Sequence, residues 1–189
     1  MGLPFSLSLD EQRLLGQLAV STIDNALHGI EPVLPCAGDF PKSLHAHLGC
    51  FVTLTIQGQL RGCMGLIRAD ETPLYENIWR MALFAAFKDP RFRQLSLPEW
   101  AHTAVEINVL GPLSPCPDVR QIVIGKHGLV LSLNGRTGVF LPSVPVEFGW
   151  DLDQYLLHLC DKAGLPAGSW QAEGARLDWY ESFSFDVQR

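Results

Sequence analysis

The sequence predicts an α+β fold, with a largely antiparallel, barrel-like sheet and about three main helices in a single domain covering residues 1–189. Strand-like stretches fold back through two-residue turns, Gln57-Gly58 and Asn134-Gly135, so hairpins rather than crossovers dominate. Apolar residues recur at helical spacing in three longer stretches. Regular alternation of strand and helix is missing and no glycine-rich phosphate or dinucleotide loop follows a strand, which argues against a parallel doubly wound sheet. An apolar share of 47% over 189 residues can supply a core for one domain or for two intimately packed lobes.

The first helix opens at a capping box, Ser8 with Glu11, and carries Leu14, Leu15, Leu18, Thr22, Ile23 and Ala26 on one stripe before ending near His28-Gly29. Three prolines and Gly38 exclude regular structure from Ile30 to Pro41. Cys50, Val52, Leu54 and Ile56 alternate with Phe51, Thr53 and Thr55, a strand that Gln57-Gly58 returns into a second strand from Gln59 to Met64. Thr72-Pro73 opens the next helix, with proline at the first helical position and Leu74, Ile78, Met81, Ala82 and Ala85 as its core stripe. Trp79, Leu83, Phe84 and Phe87 make this helix apolar nearly all round, which predicts burial between the sheet and another element, and Asp89-Pro90 ends it. Ser96 and Glu99 form a second capping box for a short helix ending near His102.

From Thr103 to Leu110 a strand places Val105, Ile107 and Val109 on one face and Glu106 and Asn108 on the other. A proline-rich link, Gly111 to Pro117, leads into a predicted meander of Gln121–Ile124, Leu129–Leu133 and Gly138–Leu141. Asp151 caps a helix running to Ala163, stopped by Gly164 with Pro166 beyond. Leu177 to Val187 alternates as one final, one-sided strand.

A formal charge of −6 and the lack of any Lys/Arg run disfavour nucleic-acid binding. The five cysteines, at 36, 50, 63, 116 and 160, are odd in number, widely spaced and without a Cys-x-x-Cys pair, which fits a reducing cytoplasm better than a disulfide framework or a zinc ribbon. No basic, apolar leader opens the chain and no run of 18 apolar residues occurs, so neither secretion nor membrane spanning is expected. Gly2 with Ser6 matches a myristoylation pattern formally, without a polybasic second signal.

The stretch richest in chemistry is Leu60-Arg61-Gly62-Cys63-Met64-Gly65. A thiol beside a guanidinium is favoured as thiolate, the nucleophilic and metal-binding form, and strand alternation puts Arg61 and Cys63 on one face. The flanking glycines admit close approach of backbone or ligand. A core cysteine on a buried strand is the plainer alternative.

Together with Ala85-Ala86-Phe87-Lys88-Asp89-Pro90-Arg91-Phe92, Val105-Glu106-Ile107-Asn108-Val109-Leu110, Gly125-Lys126-His127-Gly128-Leu129 and Leu141-Pro142, this run resembles the AMMECR domain, the family of AmmeMemoRadiSam system protein A. The likeness runs from about Phe5 to the last strand and departs at Met64, where isoleucine is usual, a swap that packing tolerates. The resemblance implies a larger and a smaller lobe built around antiparallel sheet, with the hallmark run beside the groove between them. It also implies association with a Memo-like protein and a radical S-adenosylmethionine protein, and no established reaction.

Cys63 is therefore read as a candidate nucleophile, with Glu106 and His127 as candidate proton-handling groups. Glu106, between Val105 and Ile107 and sharing its face with Ala104, is expected to be a partly buried carboxylate of raised pKa, or else an ion-pair partner of Arg61 or a solvated sheet residue. His127 sits in a glycine-flanked turn, and its place in the family pattern raises it above a merely solvated histidine. Arg61, Gly62, Gly65 and Arg91 form the candidate substrate-binding set, although Arg91 more readily pins its loop through a carboxylate. His45, His47 and Cys50 are the one local cluster of ligand type, two imidazoles facing alike if on a strand, but third and fourth ligands are lacking and no metal or other cofactor is assigned. Trp150, Trp170 and Trp179 are read as core or lobe-interface residues. Two functions stay open: a cytosolic enzyme acting on a small molecule beside the hallmark run, or a non-catalytic ligand-binding or adaptor protein docking onto the two partners.

Overall fold

The computed structural model describes residues 6–188, which divide into two compact units. One comprises Ser6–Leu110 with residues 183–188; the other is Gly111–Ser182. Each is organised around a four-stranded sheet, so an α+β fold is confirmed while a single barrel-like sheet is not: there are two sheets, and neither closes. The three long helices expected are present, and two short ones join them.

In the first unit, helix α1 (Leu9–Leu27) starts on the Ser8–Glu11 capping box and stops at His28 and Gly29. Strands β1 (Cys50–Ile56) and β2 (Gln59–Leu66) form a hairpin whose turn residues Gln57 and Gly58 both have positive φ, the type I′ geometry that matches strand twist. Helix α2 (Leu74–Phe87) packs on β1 and β2 with one face and on α1 with another, the two-sided burial its composition required. Pro73 stands at its N-cap, one residue outside the helix. Helix α3 (Leu97–Trp100) carries the Ser96–Glu99 capping box and leads into β3 (Thr103–Leu110). The sheet order is β2-β1-β3-β8, with β8 spanning Ser182–Asp186, so β2 is an edge strand. Val52, Leu54, Val105 and Ile107 fill the core on the helix side.

In the second unit, β4 (Ser114–Pro115), β5 (Gly128–Leu133), β6 (Arg136–Phe140) and β7 (Arg176–Tyr180) are ordered β4-β7-β5-β6. Short helix α4 (Ser143–Glu147) precedes α5 (Leu152–Lys162), which is capped by Asp151, stopped at Gly164 and packed on β5 and β6. Leu129, Leu131, Tyr155, Leu156 and Leu159 make this unit's core.

Several sequence expectations are corrected. Gln121–Ile124 is not a strand: Asp118 caps a 3-10 turn at Val119–Gln121, and the Val123 carbonyl accepts the amides of Lys126 and His127, which leaves no ladder to join. The proline-rich link contains β4, and the loop after α1 contains a 3-10 turn at Ala37–Asp39. The terminal alternation from Leu177 to Val187 is two strands, β7 and β8, which break at Glu181 and enter different sheets. A period of two reports the faces of a strand and is silent on its neighbours. All five cysteines are free thiols, and no helix among the described residues is long and apolar enough to cross a membrane. Gly2, of the myristoylation pattern, lies outside the described residues.

Candidate functional site

The hallmark run lies on β2, and its facing is set by an irregularity in the hairpin. Counting back from the Ile56–Gln59 pair at the turn, an unbroken ladder would set Gly62 opposite Thr53 and Cys63 opposite Val52, a core residue. The observed register shifts by one residue between Leu54 and Thr55, with Arg61 as the extra residue on β2. Cys63 consequently faces Thr53, on the sheet face away from α2, and Gly62 takes the helix side.

The same irregularity corrects the expectation that Arg61 and Cys63 share a face. Arg61 donates through Nε to Glu99 Oε1 at 3.0 Å and through Nη2 to Glu99 Oε2 at 3.3 Å and to the Arg93 and Gln94 carbonyls at 3.0 and 3.2 Å. Both side chains are largely buried, and Arg61, followed by Ser96, holds the Glu99 carboxyl down from 4.5 to about 2. Arg61 thus anchors the bulge to α3 and the loop before it.

Among the described residues no strand neighbours the outer edge of β2, and side chains from the α2–α3 loop take its place. The Cys63 N–H donates to Asp89 Oδ2 at 2.9 Å, and the Cys63 carbonyl accepts from Arg91 Nη2 at 3.2 Å. Arg91 also grips Asp89 through Nε at 3.0 Å and Nη2 at 2.7 Å, and the Arg91 amide donates to Oδ1 at 3.1 Å. The Asp89 side chain is only 2% exposed, and the bonded Arg91 guanidinium holds its carboxyl far below the usual carboxylate range. Half of the Arg91 side chain remains in solvent. The carboxylate expected for Arg91 is therefore Asp89, two residues away.

On the outward face, Thr53 pairs with Cys63 on one side and Glu106 on the other, so Cys63, Thr53 and Glu106 form one row across β2, β1 and β3. The Thr53 hydroxyl donates to Cys63 Sγ at 3.3 Å. Cys63 and Glu106 are two strand spacings apart, about 9–10 Å between backbones, too far for direct contact through short side chains and wide enough to seat a small molecule over Thr53. Glu106 is exposed, which corrects the expectation of a partly buried carboxylate: the neighbours Val105 and Ile107 point to the opposite face and desolvate nothing on this one.

The adjoining row is Gly65, Phe51 and Asn108. Asn108 is 8% exposed, and its Oδ1 accepts no hydrogen bond, an unsatisfied acceptor on the same face as Glu106. The vacancy at Gly65 is filled by the Phe51 ring and that at Gly62 by the Ala85 carbonyl of α2, so the close approach both glycines permit is taken by protein groups.

His127 belongs to the second unit, whereas Cys63 and Glu106 belong to the first. Its Nδ1 accepts from the Val123 N–H at 3.1 Å, which places the proton of the neutral ring on Nε2, and its ring packs on Trp179 with centroids 4.4 Å apart. Burial, reinforced by Lys126 and opposed by Glu181, lowers its pKa. His45 lies in a 3-10 turn and bonds the Phe40 carbonyl at 3.2 Å, His47 precedes the strand, and burial pushes the Cys50 thiol far up. The facing that a strand would have given the two imidazoles is absent, and no group of three His, Cys, Asp or Glu that could hold a metal occurs among the described residues.

Thr53, Asp89 and Asn108 were not singled out by sequence. Asn108 was within reach, two positions from Glu106 on a strand of clear period; Thr53 was hidden by the bulge, and Asp89 by its appearance as a helix stop.

An α+β chain with a strand-borne cysteine held at a side-chain-capped sheet edge is the class of protein these features define. The chain belongs to the AMMECR1 family, whose model matches residues 16–185. Protein MJ0810 of Methanocaldococcus jannaschii is 37% identical over 188 residues, covering 95% of this chain and 92% of its own, and protein NEQ441 of Nanoarchaeum equitans is 37% identical over 163 residues, covering 82% and 89%. The crystal structure of the uncharacterized protein PH0010 from Pyrococcus horikoshii superposes with a TM-score of 0.85 at 33% identity, covering 96% of this chain and 94% of that one.

Proposed function

We propose that this chain is a cytoplasmic enzyme that works on a small molecule lying across the Cys63–Thr53–Glu106 row, with Cys63 as the nucleophile. The observation that carries the reading is the bulge at Arg61, which turns Cys63 out of the core and onto a face where Thr53 donates to its sulfur. In this reading Cys63 Sγ attacks the acyl carbon of an ester or thioester and gives up its proton to solvent, the bond to the leaving group breaks and that group departs as alcohol or thiol, and Glu106, at the substrate's far end rather than at the sulfur, takes the proton of the water that then hydrolyses the acyl-enzyme. Arg91, half in solvent and bonded to the Cys63 carbonyl, is better placed to hold an anionic substrate group than Arg61, which is largely buried and whose Nε and Nη2 bond Glu99 and two carbonyls. The orphaned Asn108 Oδ1 suits a substrate N–H. A Memo-like protein and a radical S-adenosylmethionine protein are the proposed pathway partners, as the AmmeMemoRadiSam resemblance implies.

Intact-mass measurement after incubation with a panel of thioesters and activated esters tests this reading. The expected result is a single covalent adduct that maps to Cys63, is absent from Cys63→Ala and persists longer in Glu106→Gln. Equal turnover by wild type and Cys63→Ala, or no adduct at Cys63 with any member of the panel, would sink it and leave a non-catalytic binding or adaptor role.

A further inference from the structure

Apart from the cysteine-bearing sheet, the Gly111–Ser182 unit contains a depression of about 620 Å³, within the size range of small-molecule sites. Part of its wall is apolar: Cys116, Val119, Leu177 and Trp170 are partly buried against this unit's core. Its floor is ordered, because the β4–β7 pairing continues into a bond from the Cys116 N–H to the Leu177 carbonyl at 2.9 Å.

Two arginines border it. Arg176 donates through Nε to Oδ1 of the fully buried Asp178 at 3.0 Å and pairs with its Oδ2 at 2.8 Å, and more than half of its side chain stays in solvent. Its terminal Nη groups bond no acceptor among the described residues. Arg120 is held by Asp118 through Nε at 3.0 Å and Nη2 at 2.7 Å, which fixes the guanidinium plane and leaves Nη1 without an acceptor among the described residues. Each cation is thus oriented by a carboxylate behind it, an arrangement that presents unspent donors without loose side chains.

Trp170 supplies a different observation. In this unit Trp150 stacks on Phe148 and His158, and Trp179 packs on His127, whereas the Trp170 ring contacts no other aromatic or cation among the described residues and lines the depression instead. An indole face beside two oriented guanidinium groups is the chemistry that receives a flat ring bearing a negative charge.

We propose that the depression between β4, β7 and the 3-10 turns at residues 119–121 and 169–171 binds a planar aromatic ring carrying a phosphate or carboxylate group, the ring on Trp170 and the anion on Arg176 and Arg120. The site is independent of Cys63 and stands or falls separately from the proposed chemistry there.

Titration of the full chain with adenosine 5′-monophosphate and with benzoate, each followed by calorimetry and by the tryptophan indole N–H resonances, tests it, with adenosine and inorganic phosphate as controls for ring and anion alone. At least one of the two charged rings should bind with sub-millimolar affinity, shift the indole resonance that Trp170→Phe removes, and bind about tenfold or more tightly than its control lacking charge or ring. Arg120→Gln, exposed and remote from the core, should weaken that probe about tenfold without weakening adenosine, and Trp170→Ala should weaken it where Trp170→Phe does not. Absence of sub-millimolar binding by both charged rings, binding that leaves the Trp170 resonance unmoved, or equal affinity in Arg120→Gln would each overturn the proposal.

Discussion

Thr53 faces Cys63 across the β1–β2 hairpin, a place that the Gln57-Gly58 turn alone would have given to Gly62. The single extra residue, Arg61, moves the thiol from the core face of the sheet to its outer face, and Arg61 is itself tied to Glu99, Arg93 and Gln94. Bulge and anchor are one device: the residue that breaks the alternation supplies the guanidinium that fixes the break in position.

Arg61→Ala is accordingly expected to cost about 2–3 kcal/mol of stability, because it removes several charge-assisted bonds and leaves the mostly buried Glu99 carboxylate with only Ser96 and the exposed Arg93. Urea unfolding of the variant, compared with Arg61→Lys, measures it. Lysine should recover only part of the loss, since it cannot reproduce the two-nitrogen contact with Glu99.

Asp89→Asn should loosen the edge of β2 at Cys63. The amide keeps an oxygen for the Cys63 N–H but loses the charge that Arg91 grips, for a cost of about 2 kcal/mol. Hydrogen exchange at the Cys63 amide should quicken in the variant while amides in the middle of β3 stay protected.

Acid should weaken the Ser6–Leu110 unit through the same carboxylates. Both Asp89 and Glu99 titrate lower in the fold than in the unfolded chain, so their contribution is complete above the unfolded value and is lost as pH falls through the folded one. For Glu99 that window runs from about 4.5 down to about 2. The unfolding free energy should be flat near neutrality and fall below about pH 4.5, with a shallower fall in Glu99→Gln.

Gly62→Ala would drive a methyl group into the Ala85 carbonyl of α2, backbone against backbone, where no rotamer offers relief. A loss of about 2–4 kcal/mol is expected by thermal or urea unfolding. Gly65→Ala meets the Phe51 ring and the Cys50 backbone carbonyl, and since the carbonyl cannot turn aside a comparable loss is expected.

Much of the fold was legible because local signals here are strong. The capping boxes at Ser8 and Ser96, the Asn134-Gly135 turn and the glycine stop at Gly164 each fall where sequence places them. What escaped depends on long-range pairing. The alternation from Leu177 to Val187 cannot reveal that β7 and β8 join different sheets, and nothing near Arg61 announces a bulge. The candidate site is legible as a residue set and not as a geometry: alternation makes Arg61 the cation of Cys63, whereas in the fold Asp89 and Arg91 hold the Cys63 backbone. Alternation puts Ala104 on the face of Glu106 and suggests partial burial, yet Ala104 is itself exposed and too small to screen the carboxylate.

The central claim, that the outward-turned Cys63 is the reactive nucleophile, is tested most directly by competitive alkylation of the five native cysteines with iodoacetamide near pH 7.5, read out by peptide mass spectrometry. Cys63, half-buried but hydrogen-bonded by Thr53, should be modified several-fold faster than the exposed Cys36, and Thr53→Val should erase that lead, while the buried Cys50 and Cys160 stay unmodified. Modification of Cys63 no faster than of Cys36, with Thr53→Val without effect, would contradict it.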